Sequence, residues 1–408
     1  MKIFDIFIRR YGWSSFASAG ILLLLMFFLI PASSEARGTA AILARSDGTI
    51  VYERNIDRQL VPASILKIAT SLAAFHFLGE DFRYKTRAGF EKSTHTLYIK
   101  GFGDPLFISE QIRLFSGEIS AKLHERNIHR IDRMVLDNSY FSDKIEVPGT
   151  NDSLNPYDAG IGALCANFNT VNFKYNSAKQ AYVSAEPQTP LLPFVMEKIR
   201  RTGLKKGRVV MDRKESSLYP GFLIRHFLEE NGIRVKGEIL AGTMPESLSL
   251  CVTRKSDFTI DDIVQKLLEY SNNFMANQLL LTIGASESGP PATLEKGVKA
   301  VSGYLTGQAG LADFKLVEGS GISRKNRISC RGMLSILEEF KPYHRLMRKK
   351  DDEYYKTGTL SGIRTRAGFF KEKDGSLYPF VIMVNRKGRH YHAVKKNFAE
   401  MVRRLESN

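Results

Sequence analysis

A serine placed at the start of a strongly apolar stretch is the feature that most constrains how this chain folds. The stretch VPASILKIATSLAAFHFLG, residues 61–79, has few polar positions and predicts a helix that is buried on most sides. Ser64 and Lys67 are three residues apart and therefore share one face of that helix. A partly desolvated lysine can accept a proton, so the pair is a candidate nucleophile and base. Taken alone, an N-cap serine followed by a solvent-exposed lysine explains the same residues.

Composition limits the classes of partner. The chain has 408 residues with 59 Lys and Arg against 43 Asp and Glu, a net charge of +16. Such a charge suits a polyanion: nucleic acid, a membrane surface or an anionic cell-wall polymer. There is no long basic run and no nucleic-acid-binding motif, so we expect no nucleic-acid partner, and peripheral membrane or wall association stays open.

The N-terminus predicts export. Basic residues precede the unbroken apolar block ILLLLMFFLI at 21–30, and small residues follow at Ser34 and Ala36. This pattern is typical of a signal peptide covering residues 1–36, and it predicts a periplasmic protein. An uncleaved membrane anchor is the alternative. The three cysteines are too few for a disulfide framework, and whether any two pair is left open: Cys165, Cys251 and Cys330.

Periodicity predicts an α+β fold. A hairpin turns at Asp47-Gly48, short strands and turns with proline breakers are expected over 169–220, and a helix from 221 ends before Gly232. Strands and a last amphipathic helix close the chain. We expect a discontinuous domain of residues 37–85 and 246–408, an antiparallel sheet flanked by helices, with an α/β region inserted at 86–245.

Two further motifs carry possible chemistry. Ser271-Asn272-Asn273 interrupts a long helical pattern, where side chains can project into a cleft. A second S-x-N at Ser153-Leu154-Asn155 is explained by turn chemistry. Lys356-Thr357-Gly358 lies in a strand pattern followed by Thr359, and a glycine in a strand often marks the close approach of another backbone.

In the order S-x-x-K, S-x-N and K-T-G, the three motifs resemble the signature of penicillin-binding proteins and β-lactamases. Ser271 follows Ser64 by 207 positions, and this long insertion resembles the class C low-molecular-mass penicillin-binding proteins, the D-alanyl-D-alanine carboxypeptidase/endopeptidase family. The segments GFGDPLF, LDNSYF, GALCANFNTV and EGSGISRKNRIS look like that family too. The resemblance implies a penicillin-binding, β-lactamase-like transpeptidase domain.

The resemblance also implies the catalytic roles. Ser64 attacks the carbonyl of the penultimate D-alanine to form an acyl-enzyme, and Lys67 accepts its proton. Ser271 and Lys356 relay a proton to the leaving amine, and the Asn273 amide orients the substrate. Neither metal nor cofactor is implied, and β-lactam antibiotics are expected as covalent inhibitors.

Substrate-binding roles follow from the same resemblance. Thr357 and Thr359, on either side of Gly358, are implied to hold the terminal carboxylate, and the N–H groups of Ser64 and Thr359 to form the oxyanion hole. The positions matching Asp137 and Phe141 lie near the pocket for the diamino-acid side chain of the substrate.

The expected function is therefore serine-type D-Ala-D-Ala carboxypeptidase or endopeptidase activity on peptidoglycan stem peptides. Two alternatives stay open: a β-lactamase-like hydrolase, and a catalytically weak protein that scaffolds wall enzymes. Two departures from the family bear on the substrate. The segment KPYHRLMRKKDDEYYKTG before the third motif is short and basic where the family has a glycine-rich loop, and the inserted region looks trimmed.

Overall fold

The computed structural model describes residues 38–151, 156–248 and 250–406. The predicted signal segment and the S-x-N at 153–155 lie outside the described residues. The strands are β1 Thr39–Ala44, β2 Ile50–Arg54, β3 Arg83–Glu91, β4 Thr96–Gly101, β5 Arg130–Ile131, β6 Arg133–Asp137, β7 Thr170–Asn176, β8 Ala181–Ser184, β9 Lys206–Val210, β10 Arg234–Val235, β11 Ile239–Ala241, β12 Leu250–Thr259, β13 Arg348–Lys350, β14 Glu353–Leu360, β15 Ile363–Lys371 and β16 Leu377–Val384.

The α-helices are α1 Lys67–Leu78, α2 Ser109–His124, α3 Pro193–Thr202, α4 Arg213–Glu230, α5 Ile260–Tyr270, α6 Asn273–Ser288, α7 Leu294–Gly307, α8 Cys330–Phe340 and α9 His392–Glu406. Within the part of the chain described, no helix is both long and apolar enough to cross a membrane. All three cysteines are free; Cys165 and Cys330 are buried and Cys251 is exposed.

A six-stranded sheet in the order β13-β14-β15-β16-β1-β2 carries the third motif on β14. The predicted hairpin is confirmed, because β1 pairs antiparallel with β2 across the turn that contains Gly48. The continuous apolar run of β16 is explained by burial on both faces. One face, with Val381 and Met383, joins the helical core, while the other, with Phe380 and Ile382, packs under α9.

The main helical core surrounds α1, α5, α6 and α8. Helix α1 is apolar on most sides because it is central: its residues from Lys67 to Phe75 are buried. The predicted interruption at Ser271 is confirmed, since it separates α5 from α6. Helices α7 and α8 were not among the elements that the sequence predicted.

A second hydrophobic core runs from Ala88 to Val252 along the chain. Its five-stranded sheet has the order β11-β6-β4-β3-β12, and β4, α2 and β6 form a parallel β-α-β unit. A three-stranded sheet, β8-β7-β9, adjoins it through Val171, Phe173 and Val209. The two largest hydrophobic cores of the described residues are thus separate, and the boundaries at 86 and 245 stay a prediction.

The expectation of only short strands and turns between 169 and 220 was wrong. Pro193 begins α3 at a position where its missing N–H costs nothing. Helix α4 begins earlier than predicted, at a capping box between Asp212 and Glu215, and continues through Pro220. Burial of α4 side chains such as Phe227 in the second core outweighs the interrupted helical hydrogen bonding.

We predict that Phe227→Ala lowers the free energy of unfolding by about 3–5 kcal/mol, because it leaves a cavity in the second core. Urea unfolding followed by circular dichroism measures the change. The matched control is Leu204→Ala, since Leu204 is 52% exposed and its truncation should change stability by less than about 0.5 kcal/mol. A cost for Phe227→Ala close to that of the control would contradict this packing.

Candidate active site

The candidate nucleophile lies in a tight turn just before α1. Ser64 belongs to the 3₁₀ segment Ala63–Leu66, and Lys67 is the first residue of the α-helix that follows. Ala63 has a left-handed backbone, with φ of 50°. The two side chains therefore meet across a helix junction, and Lys67 Nζ lies 3.1 Å from Ser64 Oγ.

Lys67 is completely buried and has two further contacts. Its Nζ lies 2.6 Å from Asn273 Oδ1 and 2.6 Å from the carbonyl oxygen of Ser320. Burial lowers the pKa of Lys67 to about 7, and the negative charge of Glu318 opposes this effect. Near neutral pH a large fraction of Lys67 is therefore the free amine, which can accept the proton of Ser64.

The S-x-N motif owes its geometry to a left-handed residue. Ser271, with φ of 56° and ψ of 37°, ends α5, and the Asn272 side chain caps α6 by accepting from Met275 N. This break turns Ser271 towards Lys356, whose Nζ donates to Ser271 Oγ at 2.7 Å. Burial, then the charges of Lys67 and Arg348, hold the pKa of Lys356 well below its usual value.

The K-T-G strand approaches the nucleophile closely. A Cβ on Gly358 would lie 2.7 Å from Ser64 N and 2.3 Å from Thr365 Oγ1, so only glycine fits there. Thr365 Oγ1 in turn donates to the carbonyl of Pro62 at 2.7 Å. The five predicted catalytic residues thus form two hydrogen-bonded groups at one cleft: Lys67 with Ser64 and Asn273, and Lys356 with Ser271. Thr359 is exposed towards the same cleft.

The cleft has a volume of about 1460 Å³ and extends from the catalytic residues towards the second core. Besides Ser64, Ser271, Asn273 and Thr359 it is lined by aromatic and basic groups, among them Tyr157, Phe168, Tyr270, Arg208, Arg324 and Arg364. Five basic side chains line the cleft against two acidic ones, Glu110 and Glu186, and this excess of positive charge suits a substrate that carries carboxylates.

Phe168 is a cleft residue that the sequence motifs did not indicate. It lies in the turn Asn167–Asn169, where three successive residues have φ of 49°, 57° and 54°. Asn167 and Asn169 hold this strained turn by side-chain hydrogen bonds, and Phe168 packs edge-on against Phe274 at 5.9 Å. Two asparagines flanking one aromatic residue were the available signal, since asparagine tolerates left-handed backbone.

Asp137 and Phe141 are not brought to this cleft. Asp137 is fully buried, and its carboxylate accepts from Lys100 Nζ at 3.0 Å and from the N–H groups of Ser139 and Met244 at 2.8 Å. Phe141 is 2% exposed. Both side chains already have partners, so the substrate contact implied by the resemblance is not available to them in this structure.

This serine site on an α+β scaffold has counterparts among known proteins. The model of the D-Ala-D-Ala carboxypeptidase 3 (S13) family matches residues 31–203 and 195–349, and the chain belongs to this family. It is 24% identical over 358 residues to the D-alanyl-D-alanine carboxypeptidase of Actinomadura sp. (strain R39), covering 75% of this chain and 65% of the relative, less than two thirds of its length. It is also 24% identical to D-alanyl-D-alanine carboxypeptidase DacB of Haemophilus influenzae, over 82% of each chain.

Solved structures show the same fold. Penicillin-binding protein 4 (dacB) from Haemophilus influenzae superposes with a TM-score of 0.70 at 21% identity, covering 86% of this chain and 91% of that chain. A predatory peptidoglycan endopeptidase from Bdellovibrio bacteriovorus superposes with a TM-score of 0.53 at 16% identity, over 90% of this chain and 92% of that one. The expected α+β fold, an antiparallel sheet flanked by helices with an inserted region, is thus shared with penicillin-binding protein 4.

We predict that Lys67→Arg slows acylation by a fluorescent penicillin by about 10²–10⁴, because arginine keeps the charge but cannot be deprotonated. In the parent the rate should rise with pH through about 7, as Lys67 loses its proton, and then level off. Lys122→Arg, at a surface lysine, is the control. A Lys67→Arg rate within a few-fold of the parent would assign Lys67 a purely electrostatic role.

Proposed function

We propose that the chain is a serine-type D-Ala-D-Ala carboxypeptidase, endopeptidase or both, acting on peptidoglycan stem peptides through a penicillin-sensitive acyl-enzyme. The observation that carries the proposal is the buried Lys67 amine at 3.1 Å from Ser64 Oγ, with its pKa lowered to about 7. Family membership and relatives named as D-alanyl-D-alanine carboxypeptidases support the same activity.

Acylation follows from these contacts. Ser64 Oγ attacks the carbonyl carbon of the penultimate D-alanine, and its proton passes to Lys67 Nζ. As the C–N bond breaks, the leaving amine takes a proton from Ser271 Oγ, and Lys356 Nζ replaces that proton. The new positive charge on Lys67 helps this step, because it further lowers the pKa of Lys356. Transfer of one proton from Lys67 to Lys356 through water restores both lysines.

The edge of β14 provides a place for the peptide. β13 pairs only with residues 353–355 of β14, and among the described strands residues 356–360 pair with β15 alone. An extended peptide can add to this free edge by main-chain hydrogen bonds. Its terminal carboxylate would then meet the hydroxyl groups of Thr357 and Thr359, with Arg364 across the strand from Thr359.

A β-lactam would follow the same path. Attack of Ser64 opens the ring amide, and the leaving nitrogen stays attached to the acyl group, so it cannot depart after acylation and remains in the cleft beside the new ester. A long-lived penicilloyl-enzyme would support the peptidase proposal, whereas turnover of penicillin within seconds would favour the β-lactamase alternative.

We further propose that the protein acts in the periplasm, exported by residues 1–36. The basic and apolar pattern of that segment and the cell-wall substrate support this location. The excess of basic residues suits association with an anionic wall or membrane surface.

We predict that Ser64→Ala abolishes covalent labelling by a fluorescent penicillin and leaves the far-ultraviolet circular dichroism spectrum unchanged, because the hydroxyl group is half-buried at a cleft and not part of the core. Ser335→Ala, on α8 outside the cleft, should label like the parent. Labelling of Ser64→Ala at the parental rate would exclude Ser64 as the nucleophile.

We predict that an acylated D-Ala-D-Ala dipeptide is cleaved about as well as a stem peptide with a free diamino-acid side chain. The reason is that the Asp137 carboxylate already forms an ion pair with Lys100, so the extra amine of the longer substrate has no partner there. The measurement is the ratio of kcat/KM for the two peptides. A preference of about a hundredfold for the stem peptide, roughly 2.7 kcal/mol, would show that a side-chain pocket is in use.

A further inference from the structure

A buried carboxylate lies in the loop behind Lys67, and no step above uses it. Glu318 begins the segment EGSGIS, residues 318–323, and is fully buried. Its two oxygens accept five hydrogen bonds, from Ser320 N at 2.7 Å, Ser320 Oγ at 2.5 Å, Gly321 N at 2.8 Å, Ser323 N at 3.2 Å and Asn326 Nδ2 at 2.6 Å.

These contacts identify the side chain as an anion. Three of the donors are backbone N–H groups, which can only donate. The Asn326 amide is oriented by its other atom, because Oδ1 accepts from Val317 N at 2.9 Å, and its Nδ2 therefore faces Glu318. A carboxylate surrounded by donors alone is ionised, and an anion in a dry interior acts strongly on nearby charge.

The loop built on this carboxylate holds the base and the nucleophile turn. The carbonyl of Ser320 accepts from Lys67 Nζ at 2.6 Å. The carbonyl of Gly319 accepts from Thr70 Oγ1 at 2.6 Å, one turn further along α1. Gly321 packs so tightly on the turn that a Cβ there would lie 2.0 Å from the carbonyl oxygen of Ala63. The Glu318 carboxylate therefore fixes the backbone against which Lys67 rests.

The charges that face Lys67 come from two other elements. Glu318, in the 318–323 loop, favours the ammonium form of Lys67. Lys356, on β14, interacts with Lys67 as a like charge. The remaining groups in contact with Lys67 Nζ are neutral: the Ser64 hydroxyl, the Asn273 amide and the Ser320 carbonyl.

We propose that Glu318 is a positioning residue that, through the loop it organises, sets both the place and the proton affinity of Lys67. This inference rests on the proposed function and deepens it. It predicts that the carboxylate controls the pH range in which Ser64 can be activated, in addition to holding the loop.

The test compares the full-chain parent with Glu318→Gln, which removes the charge, and Glu318→Asp, which keeps it. The rate constant of acylation by penicillin is measured from about pH 5 to about pH 9. Without the anion the ammonium form of Lys67 is less favoured, so the acidic limb of the Glu318→Gln profile should move to lower pH by about one unit or more. The Glu318→Asp limb should stay near that of the parent, although its plateau is lower.

A Glu318→Gln profile with the parental limb and only a lower plateau would overturn the proposal, because it would leave Glu318 a purely structural role. Failure of Glu318→Gln to fold, under conditions in which circular dichroism shows Glu318→Asp folded, would overturn it for the same reason. A shift of the Glu318→Asp limb as large as that of Glu318→Gln would also count against it, since the charge is then not the cause. A parent that penicillin does not acylate would instead refute the proposed function itself.

Discussion

The buried amino group of Lys67 is the contact on which the rest of the site depends. Three separate parts of the chain supply its partners: the turn at Ser64, the start of α6 at Asn273 and the carbonyl of Ser320. An unpaired charged amine in a protein interior is costly, so the site is stable only when all three parts are in place. Burial lowers the pKa of this amine to about 7, so it is neutral for much of the time near pH 7 and its lone pair can accept the proton of Ser64.

Close backbone approach is the means by which these parts reach one another. Gly358 and Gly321 both press on the turn that carries Ser64, one from β14 and one from the loop after Glu318. Two residues with left-handed backbone turn the chain sharply at the site: Ala63 just before Ser64, and Ser271 between α5 and α6. The site thus concentrates conformations that are unfavourable locally, and the two surrounding layers, sheet and helices, hold them.

Much of this arrangement could be predicted from the sequence, and the reason is local. A few neighbouring residues are enough to predict each of three features: the apolar helix α1, the interruption at Ser271 and the strand with Lys356. The order of the three motifs indicates the chemistry. Helix α3 is not predicted, because a proline indicates a break unless it is the first residue of a helix, which is the position that Pro193 has.

Contacts between distant parts of the chain were not predictable in the same way. The proposed role of Glu318 depends on the packing of the 318–323 loop against Lys67, which precedes Ser320 by 253 residues in the chain. The burial of Asp137 depends on its ion pair with Lys100, which is 37 residues away. Phe168 lies in the cleft within a turn that is held by contacts with Ser109 and Gly160, 58 and 9 residues away, and it packs against Phe274 of α6. No periodicity or motif encodes such partners, since they belong to tertiary packing.

The position of β16 between β15 and β1 has a consequence for the stage of folding at which the active site forms. The Asn385 side chain, just after β16, bonds both the N–H and the carbonyl of Val61, at 2.8 and 3.0 Å, across 324 residues of chain. The segment leading into Ser64 also pairs with Ile328 and Thr365, but its full set of anchors exists only when nearly the whole polypeptide is available. Contacts of such long sequence separation form slowly. A nascent or truncated chain ending before residue 385 would carry its reactive serine without a working site, so activity appears as one of the last events of folding.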